Sequence, residues 1–140
     1  MEISEALDFM RERHQGVLTT IKRDGRPQLS NIAYVVGDDD IVRISVTDGR
    51  AKTANLRRDQ RASLHVARSD FWAYAVIEAD VELLRVATDP DDATADALVD
   101  YFRSVAGEHG DWDEYRRAMV EEGRLLLLLR PTHAYGIVDR

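Results

Sequence analysis

Cysteine is absent from the 140 residues. That excludes disulfide staples, thiolate zinc sites, iron–sulfur clusters and a thiol nucleophile. No apolar run approaches the roughly 18 residues of a membrane span. Glycine-rich cofactor loops are missing as well: there is no Gly-x-Gly turn, no Walker A loop and no Gly-x-Ser-x-Gly elbow. Positive charge is short, with 19 basic against 26 acidic residues and a net charge of −7. Such a chain is a poor general binder of nucleic acid or of anionic membranes. The opening Met1–Glu5 is acidic and has neither the basic start nor the apolar stretch of a signal peptide, so the expected compartment is the cytoplasm. The four histidines, His14, His65, His109 and His133, lie far apart without ligand spacing, and no metal site is expected.

What remains is a composition of 44% hydrophobic and 32% charged residues, ordinary for one globular domain, here residues 1–140. Ile3, Ala6, Leu7 and Met10 fall on one helical face, with Ser4 a candidate cap. From Val17 the period changes to two. Val17–Lys22, Gln28–Val36 and Ile41–Thr47 read as strands joined by turns at Asp24-Gly25 and Gly37–Asp40. Arg50–Asp59 suits one or two turns of helix. Arg61–Ala67 and Ala73–Val86 alternate again. Thr88-Asp89-Pro90 predicts a helix start, running to Ala106. A further helix covers Asp111–Glu122, and two closing strands cover Leu125–Leu129 and Ala134–Val138. Seven strands and three longer helices without βαβ alternation predict an α+β fold, mainly β: a small antiparallel barrel with helices outside. The segment from Asp89 to Glu122 holds three basic and eleven acidic residues and reads as a pair of solvated helices.

Catalytic residues of the hydrolase kind are not evident, so any chemistry is expected to rest on a cofactor. The concentrated basic stretch is Arg50-Ala51-Lys52-Thr53-Ala54-Asn55-Leu56-Arg57-Arg58-Asp59-Gln60-Arg61, with five basic residues and one acidic. It lies where a strand gives way to a helix, a place where free amides favour an anion. Lys52 stands out in a chain with 17 arginines and two lysines. A phosphate site and a plain solvated helix both fit. Gln28 and Ser30 share one face of their strand, Leu29 and Asn31 the other; polar groups on both faces suit either a ligand or an edge strand. Trp72 and Tyr74 share a strand face and suit either a planar cofactor or an interface.

On these residues the chain resembles the pyridoxamine-phosphate-oxidase-like proteins that use coenzyme F420. Gly16–Asn31 is similar to the family's opening, and Arg50–Asp59 to its phosphate-binding segment. Trp72–Val76, Ala106–Trp112 and Arg116–Val120 also resemble it. The resemblance implies a split β-barrel that forms a homodimer, with cofactor sites at the interface. It further implies a reduced deazaflavin delivering hydride from its C5 to a conjugated small-molecule acceptor. Carried over by matching segment, Arg50, Ala51, Lys52 and Thr53 would hold the phosphate, and Gln28, Ser30 and Asn31 would line the ring. Trp72 and Tyr74 would come from the second subunit. Arg57, Arg58 and Arg61, or Lys22, Arg23 and Arg26, are the candidates to follow the cofactor's polyglutamate tail. The alternatives are an FMN-dependent enzyme of the pyridoxamine phosphate type and a non-enzymatic protein that binds or stores F420.

Overall fold

Strand pairing begins at the Asp24-Gly25 turn, where Gly25 takes φ +87° and Asp24 accepts from the Arg26 amide. The turn joins β1 (Gln15–Ile21) to β2 (Pro27–Ala33) with Gln15 opposite Ala33 and Ile21 opposite Pro27. The computed structural model describes residues 1–139. Its remaining strands are β3 (Val35–Val36), β4 (Val42–Thr47), β5 (Arg61–Ala67), β6 (Tyr74–Leu83) and β7 (Arg124–Ile137). Its helices are α1 (Ile3–Arg11), α2 (Ala51–Arg58), α3 (Ala93–Ala106) and α4 (Trp112–Glu121). All strand pairs are antiparallel, in the order β2-β1-β5-β6-β7-β4-β3.

That order closes the fold. β2 and β3 lie at opposite edges of the sheet, yet one residue, Tyr34, joins them, so the sheet curls until its edges meet. The fold is the split β-barrel that the resemblance implies, with four helices, the short α2 joining the three longer ones expected. Gln28–Val36, expected as one strand, breaks at Tyr34. The Tyr34 amide donates to His14 O (2.9 Å), and its fully buried phenol donates to Met10 O (2.7 Å). Conversely, the two closing strands are one. β7 runs unbroken past Pro131 because a bulge between Glu78 and Ala79 on β6 absorbs the extra residue, Thr132. The helix expected at Asp89-Pro90 starts at Ala93. The Asp92 carboxylate caps the Ala95 amide (2.8 Å) and also accepts from the Thr88 and Asp89 amides, so the cap sits three residues later. α1 is capped by a Glu2/Glu5 box rather than by Ser4.

The barrel interior holds Leu18, Ile44, Leu64, Ile77 and the odd-numbered leucines of β7, with Ala6, Leu7 and Met10 of α1 packed against them. A second cluster lies outside the sheet. Leu126 meets Leu98 and Val99 of α3 and Tyr115 and Met119 of α4. β7 is thus buried on both faces, which explains a leucine run without alternation. Beyond Arg130, β7 pairs with β6 alone. The outer face there, and over β1 and β5, carries no helix; Leu29 and Tyr135 are 61% and 45% exposed. Among the described residues no helix is long and apolar enough to cross a membrane.

Candidate functional site

The site is built where β4 runs into α2. Thr53 is fully buried and its hydroxyl donates to Thr47 O (2.8 Å), while the Arg50 amide donates to the same carbonyl. These bonds turn the first turn of α2 back over the end of β4. Arg50 caps the helix with no side-chain bond. The Ala51 and Lys52 amides, in the first turn, have no intrahelical acceptor. The register of β4 with β7 then adds a residue from far along the chain, since Thr47 pairs with Arg124.

Arg50, Lys52 and Arg124 line one cleft of about 580 Å³. Ser45, Val46 and Thr47 of β4 and Asn31, Ile32 and Ala33 of β2 form two further parts of its wall. The α3–α4 pair supplies Tyr101, Phe102, Tyr115 and Met119. Among the described residues no carboxylate lines it. Burial, and then the charges of Arg50 and Arg124, lower the Lys52 pKa. Arg50 and Lys52 have no carboxylate partner among the described residues, whereas Arg43, Arg57, Arg61, Arg68, Arg116 and Arg130 all do. Burial pushes the Tyr115 phenol up to about 12 and raises Tyr101 as well. Both stay protonated and donate to backbone carbonyls, Tyr115 to Leu98 O (2.9 Å) and Tyr101 to Ala33 O (3.1 Å). They are neutral walls of the cleft. The cleft can hold an anion beside an aromatic surface.

The structure gathers three of the sequence-predicted site residues, Asn31, Arg50 and Lys52, onto this cleft. Ala51 lies between two of them at the helix start. Thr53 lies beneath, tying α2 to β4. Gln28 and Ser30 occupy the opposite face of β2 from Asn31 and enter a polar network with α2. In it, Gln28 Nε2 donates to Ser30 Oγ (2.7 Å), and Thr20 Oγ1 donates to Gln28 Oε1 (2.9 Å). Asn55 Nδ2 donates to Thr20 Oγ1 (3.1 Å), and Arg58 donates to Asn55 Oδ1 and Ile21 O. Of the tail candidates, Arg57 pairs with Asp48, Arg61 with Asp59 and Lys22 with Asp24.

Trp72 and Tyr74 do not line the cleft within one protomer. Trp72 is 69% exposed in the turn before β6 and follows Phe71, which takes φ +73°. Tyr74 stacks on His65, centroids 5.4 Å apart. A second cleft of about 540 Å³, with Val17, His65 and Phe71 in its wall, shares Asn31, Ile32 and Ala33 with the first. A cationic cleft and an apolar, aromatic-flanked surface therefore adjoin through one strand end. Sequence reasoning missed Arg124, Ser45, Thr47, Tyr101 and Tyr115. The only local sign was a cation ahead of a leucine run.

A family model described as pyridoxamine 5′-phosphate oxidase matches residues 3–137. Among solved structures, the conserved hypothetical protein Rv2991 from Mycobacterium tuberculosis is similar at 22% identity. It covers 100% of this chain and 86% of that one, with a TM-score of 0.75. A protein described as an F420 reductase is similar at 20% identity, covering 91% and 94%, with a TM-score of 0.68. The heme storage protein HutZ from Vibrio cholerae is similar at 15% identity, covering 96% and 94%, also with a TM-score of 0.68. At these identities the likeness establishes the fold.

Proposed function

The chain belongs to the pyridoxamine 5′-phosphate oxidase family, and on that premise we propose that it is an F420H2-dependent reductase acting on a conjugated small molecule. The observation that carries this reading is the convergence of Arg50, Lys52 and Arg124, with no lining carboxylate among the described residues, beside Tyr101, Phe102 and Asn31. That donor set suits a cofactor with a phosphate and a planar ring. The likeness to an F420 reductase and the resemblance over Gly16–Asn31 and Arg50–Asp59 favour the deazaflavin over FMN.

When bound and reduced, a deazaflavin supplies hydride from C5 to an electron-poor double bond, and a proton completes the neighbouring atom. The chain's own work is binding, orientation and exclusion of water. Arg50, Lys52 and the first-turn amides of α2 hold the phosphate. Asn31 offers an amide to the ring edge, while Gln28 and Ser30 hold β2 against α2 from its other face. Tyr101, Phe102 and Met119 keep one wall dry. In this reading Trp72 and Tyr74 complete the site from a second copy in a homodimer. The exposed Leu29, Phe71, Trp72, Tyr135 and Ile137 are the apolar surface such a dimer would cover.

The test is a titration of the purified protein with F420, FMN and heme, each followed by ligand spectra and melting temperature. A ligand of the native state stabilises by RT ln(1 + [L]/Kd), so F420 is expected to give the largest shift. The protein is then expected to oxidise F420H2 in the presence of conjugated acceptors. A larger shift with FMN moves it to the flavin reading, and heme as the tight ligand moves it to a binding role. Tight F420 binding without turnover of any acceptor leaves a storage protein.

A further inference from the structure

Arg124 reaches the cleft from the start of β7, opposite Thr47 and 72 positions beyond Lys52. It is held on one side by Glu122, whose carboxylate accepts from its Nε (3.1 Å). On the other side its Nη1 is 3.5 Å from Ser45 Oγ. Among the described residues nothing accepts from its Nη2. The side chain is 31% exposed, so it is anchored yet open to the cleft that it lines. Glu122 itself does not line that cleft.

The charges decide what such a cluster suits. Arg50, Lys52 and Arg124 are three cations, and among the described residues Glu122 behind Arg124 is the one carboxylate bonded to any of them. The set therefore carries a net charge of +2. Three partly desolvated cations facing one another are unfavourable until a counter-charge arrives, as the lowered Lys52 pKa also indicates. A single negative charge leaves the set half balanced, and two balance it.

The geometry points to Arg124 as a third ligand of the anion held by Arg50 and Lys52, and to two negative charges on the group bound there. The inference rests on the cofactor-phosphate reading above. Two sources supply that chemistry: a phosphomonoester dianion, as in FMN, or a phosphodiester followed closely by a carboxylate, as in a deazaflavin with a glutamate tail.

The experiment measures Kd by cofactor fluorescence for wild type, R124Q and K52A against FMN, F420 and riboflavin, at two salt concentrations. R124Q is expected to weaken FMN or F420 binding about 10–100-fold, the scale of losing a charge-assisted bond. It is also expected to flatten the salt dependence. Riboflavin, lacking the phosphate, is expected to be indifferent to both substitutions. If R124Q binds both phosphate-bearing cofactors like wild type while K52A does not, Arg124 is only a structural residue and the cofactor reading stands. If neither substitution matters, the phosphate reading falls and this inference falls with it.

A measurement on the wild-type protein keeps the charge claim open to refutation should R124Q not fold. A phosphomonoester gains a proton near pH 6, so FMN affinity is expected to drop about fourfold between pH 7.5 and 5.5, following the dianion fraction. Affinity unchanged across that range overturns the two-charge claim for a monoester. For F420, trimming the glutamates is the matching arm, and unchanged affinity for the trimmed cofactor excludes a tail carboxylate as the second charge.

Discussion

The outer surface of this one sheet has two halves that are treated in opposite ways. Over β4 and the first part of β7, α3 and α4 cover it, and Leu126 is sealed against Leu98, Val99 and Met119. Over β2, β1, β5, β6 and the rest of β7 no helix among the described residues covers it, and Leu29, Tyr135 and Ile137 stand in the open. The strands are continuous across the divide, so backbone hydrogen bonding does not distinguish the halves. Side chains do. The covered half has leucine where β7 faces the helices. The bare half mixes Thr19, Ser63, Glu78 and His133 across one row with Val17, His65, Val76 and Tyr135 across the next. The first pattern belongs to a permanent core. The second, polar and apolar together, is the composition of a surface able to meet either water or another chain. The cationic cleft opens on the covered half and, through Asn31–Ala33, adjoins the bare one.

The comparison is broken most forcefully by truncating one leucine on each half. Leu126→Ala removes a side chain that is 1% exposed and is expected to destabilise the protein by about 2–5 kcal/mol, seen as a lower urea midpoint. Leu29→Ala removes one that is 61% exposed and is expected to change protomer stability by no more than about 0.5 kcal/mol. Its effect should appear instead as weaker self-association by light scattering and a melting temperature that depends on protein concentration. A monomer mass for the wild type at micromolar concentration would remove the reason for the difference.

The difference between the halves was only partly legible in the sequence. The Asp24-Gly25 hairpin, the helix that begins at Asp111 and the basic segment at Arg50 are local signals, and they are where they were expected. The break at Tyr34 was not legible, because Ile-Ala-Tyr-Val-Val reads as uninterrupted strand. The chain leaves one sheet edge for the other there only because the barrel closes, which is a long-range fact. The closing strands read as two, Leu125–Leu129 and Ala134–Val138, yet the bulge at Thr132 carries β7 past Pro131 as one. The alternation placed Asn31 opposite Gln28 and Ser30 correctly, but which face meets a cleft depends on α2 and α3 lying on either side. Arg124 enters the site through its pairing with Thr47, and no spacing along the chain announces that.

The cleft itself is tested by Lys52→Ala. Loss of a charge-assisted bond to the phosphate is expected to weaken cofactor binding by about 1.5–3 kcal/mol, read by fluorescence titration. Asp70→Ala is the control on the bare half. It loosens the turn that holds the Trp72 amide (3.0 Å), so its effect should appear in self-association and, in the protomer, not in phosphate affinity. Equal affinity for wild type and Lys52→Ala would detach the cationic cluster from the cofactor altogether.

The smallest effect has the opposite sign. Burial and the charges of Arg50 and Arg124 depress the Lys52 pKa below its usual value in the folded, ligand-free protein, so between the two pKa values the unfolded chain binds more protons. Stability then rises with pH through that window, and below it the penalty for the charged lysine is fully present. Lys52→Gln removes the penalty. It is expected to raise the melting temperature of the ligand-free protein slightly at pH 7, with the gain shrinking as the pH climbs toward the lysine range. With saturating cofactor the order should reverse, because the anion that Lys52 serves stabilises the wild type more than the weaker-binding variant. A variant that is more stable empty and less stable loaded marks a residue kept for binding at the expense of the fold. A Lys52→Gln protein that melts lower in both states would instead make Lys52 part of the scaffold, like Thr53 beneath it.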